Sequence, residues 1–131
     1  MRTRLILPVL VLFLAGGAAQ AQFGTQKSSA SGVTVAVTPM NLAADARTWD
    51  FTVVLDTHTQ DLSDDLVKSA VLLDDKGNQF KALAWEGDAP GGHHRSGVLK
   101  FNPIAPSPQA LELRISRPGE AKARIFRWGF K

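Results

Sequence analysis

From Val33 onward apolar side chains recur at every second position, and this two-residue period narrows the possible folds more than any other feature of the chain. Val33, Val35 and Val37 alternate with Thr34, Ala36 and Thr38, and Pro39 is expected to end that strand. Trp49, Phe51, Val53 and Leu55 then share one face, with Asp50, Thr52, Val54 and Asp56 on the other. Ala70 to Leu73 is an apolar run that reaches Asp74-Asp75-Lys76-Gly77-Asn78, where Gly and Asn are expected to supply the positive φ of a hairpin turn before a returning strand over 79–85. Val98 to Phe101 forms a short strand. Leu111, Leu113 and Ile115 alternate with Glu112, Arg114 and Ser116, and Phe126, Trp128 and Phe130 alternate with Ile125, Arg127 and Gly129.

These runs make seven expected strands separated by turn signals, with almost no helical period. They predict an all-β fold, an antiparallel immunoglobulin-like β-sandwich, with a jelly roll or open barrel as the alternative. Ser63, followed by Asp64 and Asp65, is expected to cap one helical turn before the third strand. The segment Pro103 to Pro108 contains three prolines, each without an amide hydrogen, so it reads as a connection between layers. Residues 86–96 read as a loop.

The first 21 residues have the layout of a secretory signal. Arg2 and Arg4 precede an apolar stretch from Leu5 to Leu14, and Ala19-Gln20-Ala21 matches a small-residue cleavage site. The expected organisation is a signal peptide over 1–21, a flexible Gly- and Ser-rich leader over 22–32 and one sandwich domain over 33–131. A periplasmic or secreted location follows, without a stable membrane anchor after cleavage. The chain has no Cys, which excludes disulfide frameworks, thiolate nucleophiles, thiolate metal sites and lipid attachment through Cys.

Removing the signal takes two of the fifteen basic residues and none of the twelve acids, so the remaining net charge is 13 − 12, or +1. This argues against generic polyanion binding, and nucleic acid is not an expected partner. The charge is nonetheless segregated along the chain. Residues 45–88 hold ten acids and four bases, whereas residues 95–131 hold eight bases and two acids.

All three histidines fall in loop-like positions: His58 beyond the second strand, and His93-His94 in the segment Pro90 to Gly97. Imidazole is the ligand a chain without Cys would use for copper or zinc, so His58 with His93 or His94, completed by Asp56 or Asp61, is a candidate metal site. The alternative is that His58 bonds within its own loop and that Gly91, Gly92 and Gly97 simply allow left-handed turns. Asp56, Asp61, Asp64 and Asp65 form an acidic group that lacks the EF-hand pattern and reads better as solvated loop carboxylates. Neither a Gly-x-Ser-x-Gly elbow nor a phosphate loop is present, so no enzyme and no catalytic residue is expected.

Two functional readings stand at this point. In the first, the chain is an exported binding or accessory module that uses the histidine loops, with copper or zinc as a candidate ligand. In the second it is a structural or protein-interaction domain that meets another exported protein through a sheet edge or its basic C-terminal strands, with Arg114, Arg124 and Arg127 facing outward. The stretch Phe51 to Ser63, taken with Trp85-Glu86-Gly87 and Gly91 to Leu99, resembles a signature of small exported bacterial β-sandwich proteins of uncharacterised function. That resemblance spans residues 33–130 and implies export, but no role for any residue.

Overall fold

A computed structural model describes residues 23–130; the expected signal segment, 1–21, lies outside them. The described residues form nine strands: β1 (Gln26–Ala30), β2 (Val33–Asn41), β3 (Trp49–Thr57), β4 (Ala70–Asp74), β5 (Gln79–Lys81), β6 (Ala84–Gly87), β7 (His94–Phe101), β8 (Ala110–Ile115) and β9 (Arg124–Gly129). A short helix, α1 (Leu66–Ser69), precedes β4. The strands form two antiparallel sheets, ordered β1-β2-β3-β7-β6 and β5-β4-β8-β9. Among the described residues no helix is long and apolar enough to cross a membrane.

Alternation sets which face each strand buries. Val33, Val35 and Val37 of β2 and Trp49, Phe51, Val53 and Leu55 of β3 all turn inward, as do Leu111, Leu113 and Ile115 of β8 and Phe126 and Trp128 of β9. The layers meet through aromatic contacts: Phe51 lies 5.6 Å from Phe101 in its own sheet and 5.7 Å from Trp128 in the other, centroid to centroid. Each indole N–H donates to a loop carbonyl, Trp49 to Ala43, Trp85 to Asp88 and Trp128 to Gly24, so no polar end is stranded in the core.

Four expectations are corrected. Within the expected leader, 26–30 are not free, because they form β1, which pairs with β2 across a two-residue turn. Ser31 and Gly32 both have positive φ, the geometry of a tight hairpin, and the segment's small polar residues concealed the strand because β1 buries little. The stretch 79–85 divides into β5 and β6, which belong to different sheets, so the chain changes layers at Ala82-Leu83. β2 continues through Pro39 to Asn41 with an irregular register, and Pro39 still stands opposite Phe51. The helix is capped by Asp65, whose carboxylate accepts from the Lys68 amide, and not by Ser63.

The β4–β5 hairpin lies where the Gly-Asn signal placed it. Only Gly77 has positive φ; Asn78 instead donates through its side chain to Asp74, whose carboxylate also accepts from the amides of Lys76 and Asn78.

Candidate functional site

One end of the sandwich gathers the loop 58–65, the loop 88–93 and the residues around Arg117 and Glu120. The β3–β7 ladder ends there with Asp56 opposite His94. Backbone bonds lock the two histidine-bearing loops together: Thr57 N donates to His93 O, Leu62 N to Gly92 O and Gly91 N to Leu62 O. Asp61 accepts from the Gly92 amide at 2.9 Å.

Beneath these loops lies a buried set of charges. Arg95 is 1% exposed and spends its guanidinium on the carbonyls of Leu62, Asp64 and Asp88, with Trp85 stacked at 5.5 Å. Asp64, also 1% exposed, accepts two hydrogen bonds from Arg117 at 2.8 and 2.9 Å. Arg117 reaches on to Glu120, which accepts twice from Arg124, and Arg124 donates to the carbonyls of Ser28, Ala30 and Val33. The chain of contacts ties α1, β1 and the loop between β8 and β9 into one block. Its fields are visible in the titrating groups. The Asp64 hydrogen bonds raise Arg117 above its ordinary pKa, and the Arg124 hydrogen bonds hold Glu120 below the usual carboxylate range.

The structure brings together part of the expected histidine site. His94 lies on β7, not in a loop, and its Nδ1 is 2.5 Å from Asp56 Oδ1 on the exposed face of the sheet. The Asp56 hydrogen bond raises the His94 pKa above 6.5. His58 and His93 are exposed at the same end of the fold, and Asp61 is committed to Gly92. Among the described residues no group of three or more His, Asp and Glu side chains is placed to hold a metal ion. The four loop aspartates go separate ways as well: Asp56 to His94, Asp61 to Gly92, Asp64 to Arg117 and Asp65 to the helix cap.

The second expected surface is the outer face of the four-stranded sheet. There Glu112 is paired with both Arg114 on its own strand and Arg127 on β9, and the Arg127 hydrogen bond is the main cause of its lowered pKa. Register places Val71 and Lys81 beside Arg114 and Ile125, and Leu73 and Gln79 beside Glu112 and Arg127. Leu73 is 6% exposed although it points outward, because the surrounding long side chains cover it. Arg124 does not belong to this face: it shares the inward phase of Phe126 and Trp128 and is buried.

The buried charges escaped the reading of the sequence, although a signal was available. Arg95 and Arg124 fall in the inward phase of their strands, and Arg117 continues the inward phase of β8 two residues beyond its end. The sequence matches no protein-family model and no curated protein, and the fold matches no solved structure.

Proposed function

We propose that this chain is an exported binding module of immunoglobulin-like topology that meets an acidic protein partner through the outer face of β5-β4-β8-β9. The observation carrying this reading is the cluster Arg114–Glu112–Arg127. Two guanidiniums share one carboxylate over an apolar floor that includes Val71 and Leu73, so the face keeps a positive surplus to which Lys81 adds. Ile125, 44% exposed, adds apolar area at the sheet edge.

The strand order supports the topology. Lettered A, B, C, C′, D, E, F and G from β2 to β9, the sheets run A-B-E-D and C′-C-F-G with β1 beside A, an order in keeping with an immunoglobulin-like reading. Export rests on the signal-like residues 1–21. Affinity capture from a periplasmic extract with wild-type bait and with Arg114→Glu/Arg127→Glu bait tests the surface. The wild type is expected to retain an acidic protein that the double variant releases, and equal retention by both overturns the reading.

A second reading, copper or zinc binding at the histidine end, draws support from Asp56. It holds the exposed imidazole by Nδ1, as the carboxylates behind metal-binding histidines do. Calorimetric titration with Cu(II) and Zn(II) tests it, and heats unchanged in a His58→Ala/His93→Ala/His94→Ala variant overturn it.

A further inference from the structure

A cleft opens at the end of the sandwich opposite the histidines, between the β4–β5 hairpin and the proline-rich connection from β7 to β8, with a volume of about 590 Å³. Its lining joins polar groups, Asp75, Asn78 and Gln109, to the apolar Pro103 and Pro106 and the half-buried Phe80. The volume falls in the range of small-molecule sites, and a mostly apolar lining with a few convergent polar groups is their usual make-up.

Both walls are fixed before any ligand arrives. The hairpin turn is pinned by the three hydrogen bonds that Asp74 accepts, from the amides of Lys76 and Asn78 and the Asn78 side chain. The proline wall is fastened to it where the Gln109 amide donates to Asp75, and to the C-terminal strand where Phe130 N donates to Gln109 O. A ligand would therefore meet little ordering cost on entry.

The charges exclude several ligand classes. The Asp74 carboxylate is already saturated by its own turn, which leaves no free carboxylate pair for a cation. The lining holds Asp74 and Asp75 against Lys76, a net negative charge that disfavours anions. What remains are planar, neutral or singly charged hydrogen-bonding groups: Asn78 Oδ1, the Gln109 carboxamide and the second Asp75 oxygen. They face a hydrocarbon surface of proline and phenylalanine. A pyranose ring matches this division, since it has a C–H face that packs on apolar rings and a rim of hydroxyls that pair with amides and carboxylates. We propose that this cleft binds a neutral saccharide.

The cleft adjoins the Arg114/Arg127 face at Asp74 and Asp75, but Gln109 lines the cleft alone, so either proposal can fail without the other. The test is an NMR titration of the purified chain with maltotriose, cellotriose and triacetylchitotriose, each taken to about 10 mM, a range that detects even millimolar affinities. At least one sugar is expected to give saturable shifts confined to 74–80 and 103–109. Affinity should fall about tenfold in Asp75→Ala and in Gln109→Ala, each of which removes a ligand hydrogen bond. Asp75 and Gln109 are both exposed, so these variants should fold as the wild type does. Absence of shifts with all three sugars overturns the proposal, as do shifts that both variants leave unchanged. Binding of a proline-rich peptide or of calcium chloride in place of the sugars overturns it too.

Discussion

Replacing Asp64 by alanine strikes the buried charges where they are least replaceable. The Asp64 side chain is 0% exposed and that of Arg117 is 3%, and the carboxylate fills two of the guanidinium's hydrogen bonds. Removing it leaves Arg117 with Glu120 alone, and breaking a buried pair from one side costs about 3–5 kcal/mol. For a domain of this size each kcal/mol lowers the melting temperature by roughly 4 °C or more, so Asp64→Ala should melt about 12 °C or more below wild type. The double variant Asp64→Leu/Arg117→Met removes both charges and fills their volume, and should recover most of the loss, because hydrophobic replacement of a buried pair is often neutral. Urea unfolding of wild type, Asp64→Ala and the double variant, followed by tryptophan fluorescence, gives the two losses to compare. A loss below about 1 kcal/mol in Asp64→Ala, the size expected of a solvent-exposed pair, would refute the reasoning.

The other expectations concern separate parts of the molecule. Deleting residues 22–30 removes two of the carbonyls that hold Arg124 and should cost roughly 2 kcal/mol or more in urea unfolding, whereas a leader without structure would cost nothing. Gly97→Ala places a methyl group 2.6 Å from Trp85 and 2.7 Å from the Glu86 carbonyl, so the same assay should show about 1–3 kcal/mol of overpacking; a neutral result would contradict the close approach of β6 and β7. In a histidine NMR titration the His94 midpoint should lie above 6.5 and fall in Asp56→Asn, and an unchanged midpoint would exclude the hydrogen bond. The sign follows from the raised pKa: the pair's contribution to stability is complete below pH 6.5 and disappears as pH rises through the His94 midpoint.

Much of this fold was legible because burial follows a period of two. β3 reads directly from Trp49 to Leu55, and the layer-crossing segment at 103–109 was marked by its prolines. β1 was not legible, since Gln26, Ser28 and Ser29 bury too little apolar surface to generate a pattern and are held by the hairpin turn and by side chains such as that of Gln26, which pairs with Arg127. The split of 79–85 also left no trace, because a change of sheet needs no glycine or proline. Residue type misled the assignment of Arg124: an arginine reads as surface, but its position in the β9 phase placed it inside, where carbonyls and Glu120 satisfy it. At the histidine end the sequence marked His58 and His93-His94 as belonging to two loops, while the pairing of His94 with Asp56 required the β3–β7 register, which joins residues 38 positions apart.

The surface assigned to a partner exists only if the chain changes layers where described, so strand order is the most direct thing to measure. Interstrand nuclear Overhauser effects should link Asp56 with His94, Leu72 with Leu113 and Leu113 with Phe126, placing Arg114 and Arg127 on one outer face. Finding β4 paired with β7, or β8 and β9 in separate sheets, would contradict the account.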